Sequence, residues 1–234
     1  MPKSDQNRFA EDGFCTAEAV FSSEEVSELI QLIEGATSTG ANYRRRDGLF
    51  AIRGLLQELP TLRPKLWTTR LRFLVEELGG QGFFCTKALF FDKPAQSNWV
   101  VAWHQDVMIS VEGRVEAEGF GPWASKNGWT TVQPALGILE NTLTLRIHLD
   151  DCNESNGALR VVPGSHRSGI IDAPTIRTRT NHAVTCPVKR GGVFAMRPLL
   201  LHASNKSTSD RHRRVIHLEF NSVELPAGLQ WREK

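Results

Sequence analysis

The sequence predicts a helical N-terminal third followed by a body made mainly of β-strands. Two segments before residue 81 carry apolar residues at helical spacing, whereas the chain after Gly82 carries short alternating or apolar runs separated by Gly, Pro, Asn and Asp. No stretch is rich enough in Pro, Gly or Ser to form a linker, and no repeat of fixed period is visible. We therefore predict one domain over residues 1–234, mostly helical in residues 1–80 and mainly β in residues 81–234.

The first helix is predicted in "SSEEVSELIQLIEGA". Ser22 stands three residues before Glu25, which is the spacing of a capping box, and Gly35 ends the apolar periodicity. A second helix is predicted in "LPTLRPKLWTTRLRFLVEELGG", from Pro60 to the glycine pair. The stretch between them, "YRRRDGLFAIRG", is basic and contains glycine, and we expect loop with short strands there.

Composition limits the classes of partner and compartment. A formal net charge of +2 is too small to predict nucleic acid or a membrane surface as a general partner. No run of about 18 apolar residues is present, so no transmembrane helix is expected. The four cysteines form no CxxC pair and the N-terminus lacks the apolar core of a signal peptide, so we expect reduced thiols in a cytoplasmic protein.

The segment "TLTLRIHL" is the clearest strand. Leucine and isoleucine occupy every second position, and the positions between them hold Thr142, Thr144, Arg146 and His148. One face of this strand is therefore predicted to pack in an apolar core, and the other to contact polar groups. A single-layer sheet would turn the polar row to water, whereas a barrel or a double sheet of the jelly-roll kind would turn it to an enclosed interior. The sequence alone does not choose between them.

Two residue types that ligate metals stand close together in the apolar stretch "VVAWHQDVMISV". On a buried strand, His104 and Asp106 project from the same face and Gln105 from the other. His202, which closes the apolar run of "PLLLHASN", is the best candidate for a third ligand. Two imidazoles and one carboxylate on one side of an ion leave open positions, as in non-haem Fe(II) oxygenases. The same set also suits Zn(II), so a zinc-dependent hydrolase and a non-catalytic metal-binding module remain alternatives.

Three arginines, Arg211, Arg213 and Arg214, follow the last candidate ligand. A guanidinium holds a carboxylate through two parallel charge-assisted hydrogen bonds, which is what a keto-acid co-substrate requires. We expect Arg211 and Arg214 to be solvated charges. His148 and His166 are further candidate ligands, and structural hydrogen bonding is the expected role of both.

The order "HQD", "NGALRVVPGSH" and "HAS", with an arginine shortly after, resembles the phytanoyl-CoA dioxygenase family of Fe(II)- and 2-oxoglutarate-dependent oxygenases. The resemblance runs from "EDGF" to "HLEF" and implies a double-stranded β-helix, a jelly-roll core of the cupin type. It implies that His104, Asp106 and His202 hold Fe(II). It also implies that Arg213 grips the far carboxylate of 2-oxoglutarate and that Ser204 assists.

Weaker matches to the same family concern two further residues. Leu89 would line the co-substrate pocket, and Arg53 would reach the co-substrate. The implied reaction is hydroxylation of a small-molecule substrate with O2, which releases succinate and CO2. Related halogenases have a small residue where Asp106 stands, so hydroxylation is the expected outcome, and no catalytic residue is expected beyond the metal ligands. The substrate and the oligomeric state are not predicted.

Three more residues are candidates for substrate contact. Arg146 and Lys87 would bind an acidic substrate if their strands face the pocket. The glycine-rich residues 110–133, which include Trp123, make a long connection without regular periodicity. We predict that they form a lid-like loop that folds over the iron and helps to select the substrate.

Overall fold

The computed structural model describes residues 5–37, 40–45, 49–93, 100–226 and 228–234. Its helices are α1 (Asp5–Asp12), α2 (Ser23–Glu34), α3 (Leu55–Glu58), α4 (Leu62–Leu66), α5 (Thr69–Gly79), α6 (Leu136–Glu140) and α7 (Ala173–Thr178). Its strands are β1 (Phe14–Ala17), β2 (Tyr43–Arg45), β3 (Leu49–Arg53), β4 (Phe84–Asp92), β5 (Val101–His104), β6 (Ile109–Val111), β7 (Trp123–Lys126), β8 (Trp129–Val132), β9 (Leu143–His148), β10 (Leu159–Val161), β11 (Val184–Cys186), β12 (Val193–Met196), β13 (His202–Ser204) and β14 (Arg214–Asn221). The order of mostly helices and then mostly strands agrees with the sequence prediction, and the single-domain organisation stays a prediction.

The strands form three antiparallel sheets. The first has the order β1-β12-β9-β14-β4-β3-β2, the second β11-β10-β13-β5 and the third β6-β8-β7. The seven-stranded and four-stranded sheets face each other across a cavity, because β4, β9 and β14 line one side of it and β5, β10 and β13 line the other. This double layer confirms the predicted jelly-roll type of core, although the sheets do not close into one continuous barrel.

The helices before β4 cover the outer face of the seven-stranded sheet. The capping box of α2 forms as predicted, with the Ser22 hydroxyl accepting from the Glu25 amide at 3.2 Å and the Glu25 carboxylate accepting from the Ser22 amide at 2.7 Å. The apolar stripe of α2 is buried in the same cluster as the leucines of β9 and the apolar residues of β14. Each such buried side chain contributes about 1.5–3 kcal/mol to folding.

Strand β9 separates this core from the cavity. Leu143, Leu145 and Ile147 belong to the helix-side core. On the other face, Thr144, Arg146 and His148 are all at most 8% exposed. The polar row therefore faces an enclosed interior. The sequence left a single-layer sheet and a double sheet as alternatives, and the structure has the double sheet.

The second predicted helix is in fact two helices, α4 and α5. The Thr68 hydroxyl accepts a hydrogen bond from the Leu71 amide at 3.2 Å and caps a new helix at Thr69. The sequence prediction also missed α1, α3 and β1. The short strands expected in residues 43–54 are β2 and β3, and residues 46–48 lie outside the described residues.

The prediction of an irregular loop over residues 110–133 was wrong. This segment contributes to β6, β7 and β8, which form the third sheet. Asn127 and Gly128 join β7 to β8 with φ values of 53° and 73°. An Asn-Gly pair with both φ values positive is the sequence signal of a two-residue hairpin, and it was overlooked among the many glycines.

All four cysteines are buried and none forms a disulfide. Burial raises the pKa of Cys85 and of Cys186 to about 12, so these thiols stay protonated near neutral pH. Across the described ranges, no helix has the length and apolarity that crossing a membrane requires.

The C-terminal segment buries a carboxyl group against β4. Glu233 is 4% exposed, and its Oε2 accepts a hydrogen bond from the Ala88 amide at 3.1 Å. Burial raises the pKa of Glu233 from 4.5 to about 8. Because the raised pKa belongs to the folded state, protonated Glu233 stabilises the fold at low pH, and this contribution is lost as the pH rises from 4.5 to about 8.

Glu233→Gln is expected to raise the free energy of unfolding by a few kcal/mol at about pH 9, since the amide keeps an acceptor and has no charge to bury. At about pH 5 the two proteins should be nearly equally stable. Urea unfolding at both pH values measures the difference. Glu118→Gln, at an exposed position, is the control, and an equal gain at both pH values would show that the charge of Glu233 is not the cause.

Candidate metal centre

Three side chains meet in the cavity between the two large sheets. Strands β5 and β13 pair with His104 directly opposite His202. The Nε2 atoms of His104 and His202 each lie 3.5 Å from a different carboxylate oxygen of Asp106. One ligand atom from each residue lies within 4.8 Å of the others. This spacing suits one ion held by two imidazoles and one carboxylate.

The local structure differs from the buried strand expected from the sequence. Strand β5 ends at His104, whose side chain is 39% exposed, whereas that of His202 is 4% exposed. Asp106 lies beyond the strand because its amide donates to the Pro198 carbonyl at 2.8 Å, outside the pairing with β13. The two ligands of "HQD" still converge, through the irregular segment after the strand and not through strand alternation.

Gln105, between these two ligands, points away from the cavity as predicted. Its Nε2 donates to the Leu199 carbonyl at 2.6 Å and to the Gly169 carbonyl at 2.8 Å, and its Oε1 accepts from the Ile171 amide at 2.8 Å. Because both ends of the amide are satisfied, the segment that presents Asp106 is held in one orientation.

The second ring nitrogen of each histidine contacts a backbone carbonyl. Nδ1 of His104 lies 2.8 Å from the Ala102 oxygen, and Nδ1 of His202 lies 2.8 Å from the Leu200 oxygen. A carbonyl only accepts, so Nδ1 carries the hydrogen in a neutral ring and Nε2 keeps its lone pair towards Asp106. This is the tautomer that a metal ligand requires.

The electrostatics also fit a metal site. Burial lowers the pKa of His202 to about 4. Burial raises the pKa of Asp106, but the two imidazoles beside it outweigh burial and hold this pKa well below its usual value. For His104, burial lowers the pKa, and the contact with Asp106 outweighs it and raises the pKa. An ionised carboxylate between imidazole lone pairs is a donor set that a divalent cation satisfies.

Arg213 and Ser204 lie together in the same cavity. Both are buried, and Arg213 Nη1 donates to Ser204 Oγ at 3.1 Å and to the Gly157 carbonyl. Ser204 Oγ also donates to the Gly157 carbonyl at 2.8 Å. In the described part of the chain, Arg213 Nε is buried without a hydrogen-bond partner. The structure therefore places the predicted pair next to each other, with donor capacity left for an anion.

Lys93 is a second cation beside Ser204, and the sequence prediction missed it. Its buried Nζ donates to the Asn205 carbonyl at 2.6 Å and to Ser204 Oγ at 3.4 Å. Burial, with the nearby charge of Arg213, lowers the pKa of Lys93 to about 8. Nothing in "FFDKP" distinguishes this lysine from an exposed one at the end of a strand.

The other two arginines of this segment have different surroundings. Arg214 pairs with Asp150 at 2.7 Å and with Glu34 at 2.6 Å, so the expectation of a solvated charge was wrong for Arg214. Its position at the start of β14, beside the "HLDD" turn, brings it to Asp150. Arg211 is exposed, as expected. Of the three, Arg213 lines the cavity.

The weaker predictions divide between two neighbouring cavities. Leu89 lines the first, of about 190 Å³, together with the three candidate ligands. Arg53 lies opposite Leu89 on the adjacent strand and lines a second cavity of about 340 Å³, which shares Lys87 and Leu89 with the first. Trp123 lines neither cavity and packs against the apolar cluster of the third sheet. The structure thus separates Arg53 and Trp123 from the three candidate ligands.

His148 and His166 also lie outside the three-residue group. Burial lowers the pKa of both. His166 makes a hydrogen bond with the Ala10 backbone, in agreement with the structural role expected of it. Nδ1 of each ring is buried without a partner among the residues described. Neither histidine joins a candidate metal group in that part of the chain.

A row of polar side chains on the seven-stranded sheet forms the opposite wall of the cavity. Arg146 Nη1 lies 3.2 Å from His217 Nδ1, and His217 Nε2 lies 3.1 Å from Glu219 Oε1. The same oxygen of Glu219 accepts from Lys87 Nζ at 2.8 Å. Arg146 and Lys87 were predicted to bind an acidic substrate if their strands face the pocket, and both residues line the cavity. His217 and Glu219 were missed, although the alternation in "VIHLEF" is the signal of a strand with one polar face.

Asp106, His217 and Glu219 form a second group with metal-ligand spacing. Its members already have protein partners, because Glu219 pairs with Lys87 and both ring nitrogens of His217 make contacts. In the first group both Nε2 atoms lie beside the Asp106 carboxylate, and within the described ranges neither makes a hydrogen bond to another group. The first group is therefore the better candidate for the metal.

The model of the family described as phytanoyl-CoA dioxygenase (PhyH) matches residues 9–215. The chain belongs to this family. The match includes all three candidate ligands and Arg213. Membership of the phytanoyl-CoA dioxygenase family confirms the family and the enzyme class, a dioxygenase, that the sequence motifs indicated.

Two curated relatives match most of this chain. Ectoine dioxygenase from Bordetella bronchiseptica is 25% identical over 248 residues, which cover 92% of this chain and 74% of the relative. L-Proline trans-4-hydroxylase from Streptomyces griseoviridis is 25% identical over 250 residues, which cover 92% of this chain and 85% of the relative.

Solved structures confirm the fold. EctD from S. alaskensis, crystallised with 2-oxoglutarate and 5-hydroxyectoine, superposes with a TM-score of 0.72 at 20% identity, over 95% of this chain and 77% of EctD. EvdMO1 superposes with a TM-score of 0.69 at 26% identity over 96% of this chain, which spans 50% of the length of EvdMO1.

Proposed function

We propose that this chain is an Fe(II)- and 2-oxoglutarate-dependent dioxygenase that hydroxylates a small molecule and releases succinate and CO2. The observation that carries the proposal is the meeting of His104, Asp106 and His202 in the cavity that also contains buried Arg213. Family membership supports it. The names of the two relatives, which specify ectoine and L-proline, support a small molecule as the substrate.

His104, Asp106 and His202 would hold the iron from one side. Bound iron supplies the chemistry that couples O2 reduction to decarboxylation of 2-oxoglutarate and oxidation of the substrate. Two histidines and one carboxylate leave the remaining coordination positions for the co-substrate and O2. The carbonyl contacts at Nδ1 fix the tautomer and the orientation of both rings, with Nε2 left to bind the metal, so the histidines serve as ligands and have no acid–base role.

Arg213 and Ser204 would hold the far carboxylate of 2-oxoglutarate. The guanidinium is buried and already oriented by Gly157 and Ser204, so few rotamers are lost when an anion binds. Lys93 adds a second positive charge beside Ser204. Leu89, from the facing sheet, would shield this part of the cavity from water.

A zinc-dependent hydrolase is the second candidate function, because the ligand set also suits Zn(II). That reaction gives no task to Arg213 or Lys93. Among the described residues, Nε of the buried Arg213 has no hydrogen-bond partner, which costs free energy unless an anion joins it, and a dicarboxylate co-substrate provides one. Arg213 therefore favours the oxygenase.

We propose that the third sheet, which residues 110–133 form in part, has the substrate-selecting role predicted for this segment. Ser110, Ala124 and Thr131 line the second cavity, which adjoins the candidate metal centre through Lys87 and Leu89. We include this wall in the proposed substrate site. Its position supports contact with the part of the substrate that lies farther from the iron.

Turnover in the presence of different metals tests the proposed function. The protein loaded with Fe(II) and given 2-oxoglutarate, O2 and pools of small metabolites should release succinate and CO2 in equal amounts and consume O2. Zn(II) in place of Fe(II), or the absence of O2, should stop the release. Metabolite hydrolysis supported by Zn(II) without O2 would establish the hydrolase instead.

A further inference from the structure

The cavity contains an arginine to which the proposed metal and co-substrate sites give no role. Arg146 on β9 is buried and lines the cavity together with the three candidate ligands. Its Nη1 contacts His217 Nδ1, and its Nε has no hydrogen-bond partner in the part of the chain that the structure describes. The nearby carboxylate of Glu219 pairs with Lys87 and His217 instead. A buried cation of this kind costs free energy until an anion joins it.

The contacts on this wall fix the orientation of Arg146. A guanidinium only donates, so His217 Nδ1 accepts and His217 Nε2 carries the hydrogen. That Nε2 donates to Glu219 Oε1 at 3.1 Å, and Lys87 donates to the same oxygen at 2.8 Å. Glu219 thus neutralises Lys87, and nothing among these groups neutralises Arg146. The Nε edge of the guanidinium remains available for a ligand.

The charges that line the cavity indicate what this ligand is. Among the described lining residues, three are cations, Lys87, Arg146 and Arg213, and two are carboxylates, Asp106 and Glu219, and buried Lys93 adds a further positive charge at Ser204, so the charge is positive in excess. Fe(II) and the 2-oxoglutarate dianion carry opposite charges of equal size, so loading both leaves the excess unchanged. Lys87 already pairs with Glu219, and Arg213 is assigned to the co-substrate, so Arg146 is the lining cation that one carboxylate of the substrate would neutralise.

We propose that Arg146 binds the carboxylate of a small monoanionic substrate beside the iron. The inference rests on the proposed function and narrows its substrate class to small monocarboxylic acids. A guanidinium binds a carboxylate through two parallel hydrogen bonds, and Nε with its neighbouring Nη forms such an edge. In the proposed function the near carboxylate of 2-oxoglutarate would bind the iron, which would compensate its charge, so Arg146 is left for a different carboxylate. The body of the substrate extends past Lys87 and Leu89 into the second cavity.

Binding of matched acids and amides tests the inference. Calorimetry under anaerobic conditions, on protein with Fe(II) and 2-oxoglutarate, compares a panel of aliphatic and cyclic monocarboxylic acids with their primary amides. Acids that fit should bind about 30-fold more tightly than their amides, the range expected for a charge-assisted hydrogen bond. Arg146→Gln should remove this difference and leave the Kd of 2-oxoglutarate within about threefold, since Arg213 holds the co-substrate. Arg146→Lys keeps the positive charge but cannot form the two parallel hydrogen bonds of a guanidinium, so its affinity for the acids should be about tenfold lower than that of the wild-type protein.

Arg211→Gln changes the net charge equally at an exposed position and is the matched control, and circular dichroism checks that each variant is folded. Equal binding of acids and amides, no acid binding, or unchanged preference in Arg146→Gln overturns the inference. A tenfold or greater loss of 2-oxoglutarate affinity in Arg146→Gln also overturns it, by assigning Arg146 to the co-substrate. Failure of the proposed function is distinguishable, because it appears as absent succinate release in the wild-type protein whether or not acids bind.

Discussion

Replacing Asp106 with alanine is expected to abolish succinate release and to lower Fe(II) affinity by roughly 100-fold or more. Loss of a residue that only hydrogen-bonds to a metal ligand typically costs about 10- to 100-fold, and loss of the ligand itself should cost more. The carboxylate is the only anionic member of the three-residue group and lies 3.5 Å from both Nε2 atoms. Without it, two neutral imidazoles remain, and these alone bind Fe(II) weakly. Anaerobic titration with Fe(II) and measurement of bound iron after gel filtration provide the affinity.

Two further variants make the Asp106 result specific. Asp210→Ala removes an exposed carboxylate and should leave iron binding unchanged. Glu219→Gln alters the second candidate metal group and should keep Fe(II) affinity within about threefold, because Glu219 is not a ligand in the proposed site. A loss in Glu219→Gln as large as in Asp106→Ala would move the iron to the group of Asp106, His217 and Glu219.

Arg213→Ala is expected to raise the Kd of 2-oxoglutarate by about 100-fold, because it removes two charge-assisted hydrogen bonds from a buried site. Iron binding should be retained, since Arg213 does not contact the three ligands. Ser204 keeps its hydrogen bond to Gly157, which supports the local structure after the change. Anaerobic calorimetry on Fe(II)-loaded protein measures the co-substrate affinity.

Arg211→Ala is the matched control for Arg213→Ala, because it removes an exposed arginine two residues away. It should bind 2-oxoglutarate like the wild-type protein. Loss of iron in Arg213→Ala, or an unchanged Kd for 2-oxoglutarate, would contradict the role assigned to Arg213.

Local patterns in the sequence predicted the elements that local chemistry determines. The capping box at Ser22 and the alternation of β9 both appear in the structure. The break at Thr68 and the hairpin at Asn127 and Gly128 also depend on local residues, but each signal is one or two residues long within a segment that favoured another interpretation. Such short signals are easily outweighed by periodicity or composition.

The site was less predictable where it depends on pairing between distant strands. His104 and His202 come together because β5 pairs with β13, and no local pattern encodes that register. His217 and Glu219 face Arg146 and Lys87 because β14 lies between β9 and β4. Knowledge of the strand order would have placed the alternating "VIHLEF" in the cavity, and without it His217 and Glu219 could not be assigned to the site.

A crystal structure grown without O2 in the presence of Fe(II) and 2-oxoglutarate tests the proposed centre most directly. Anomalous scattering at the iron edge should give one peak between Nε2 of His104, Nε2 of His202 and the Asp106 carboxylate, with the far carboxylate of 2-oxoglutarate on Arg213. An iron peak between Asp106, His217 and Glu219, or a 2-oxoglutarate molecule that does not contact Arg213, would contradict it.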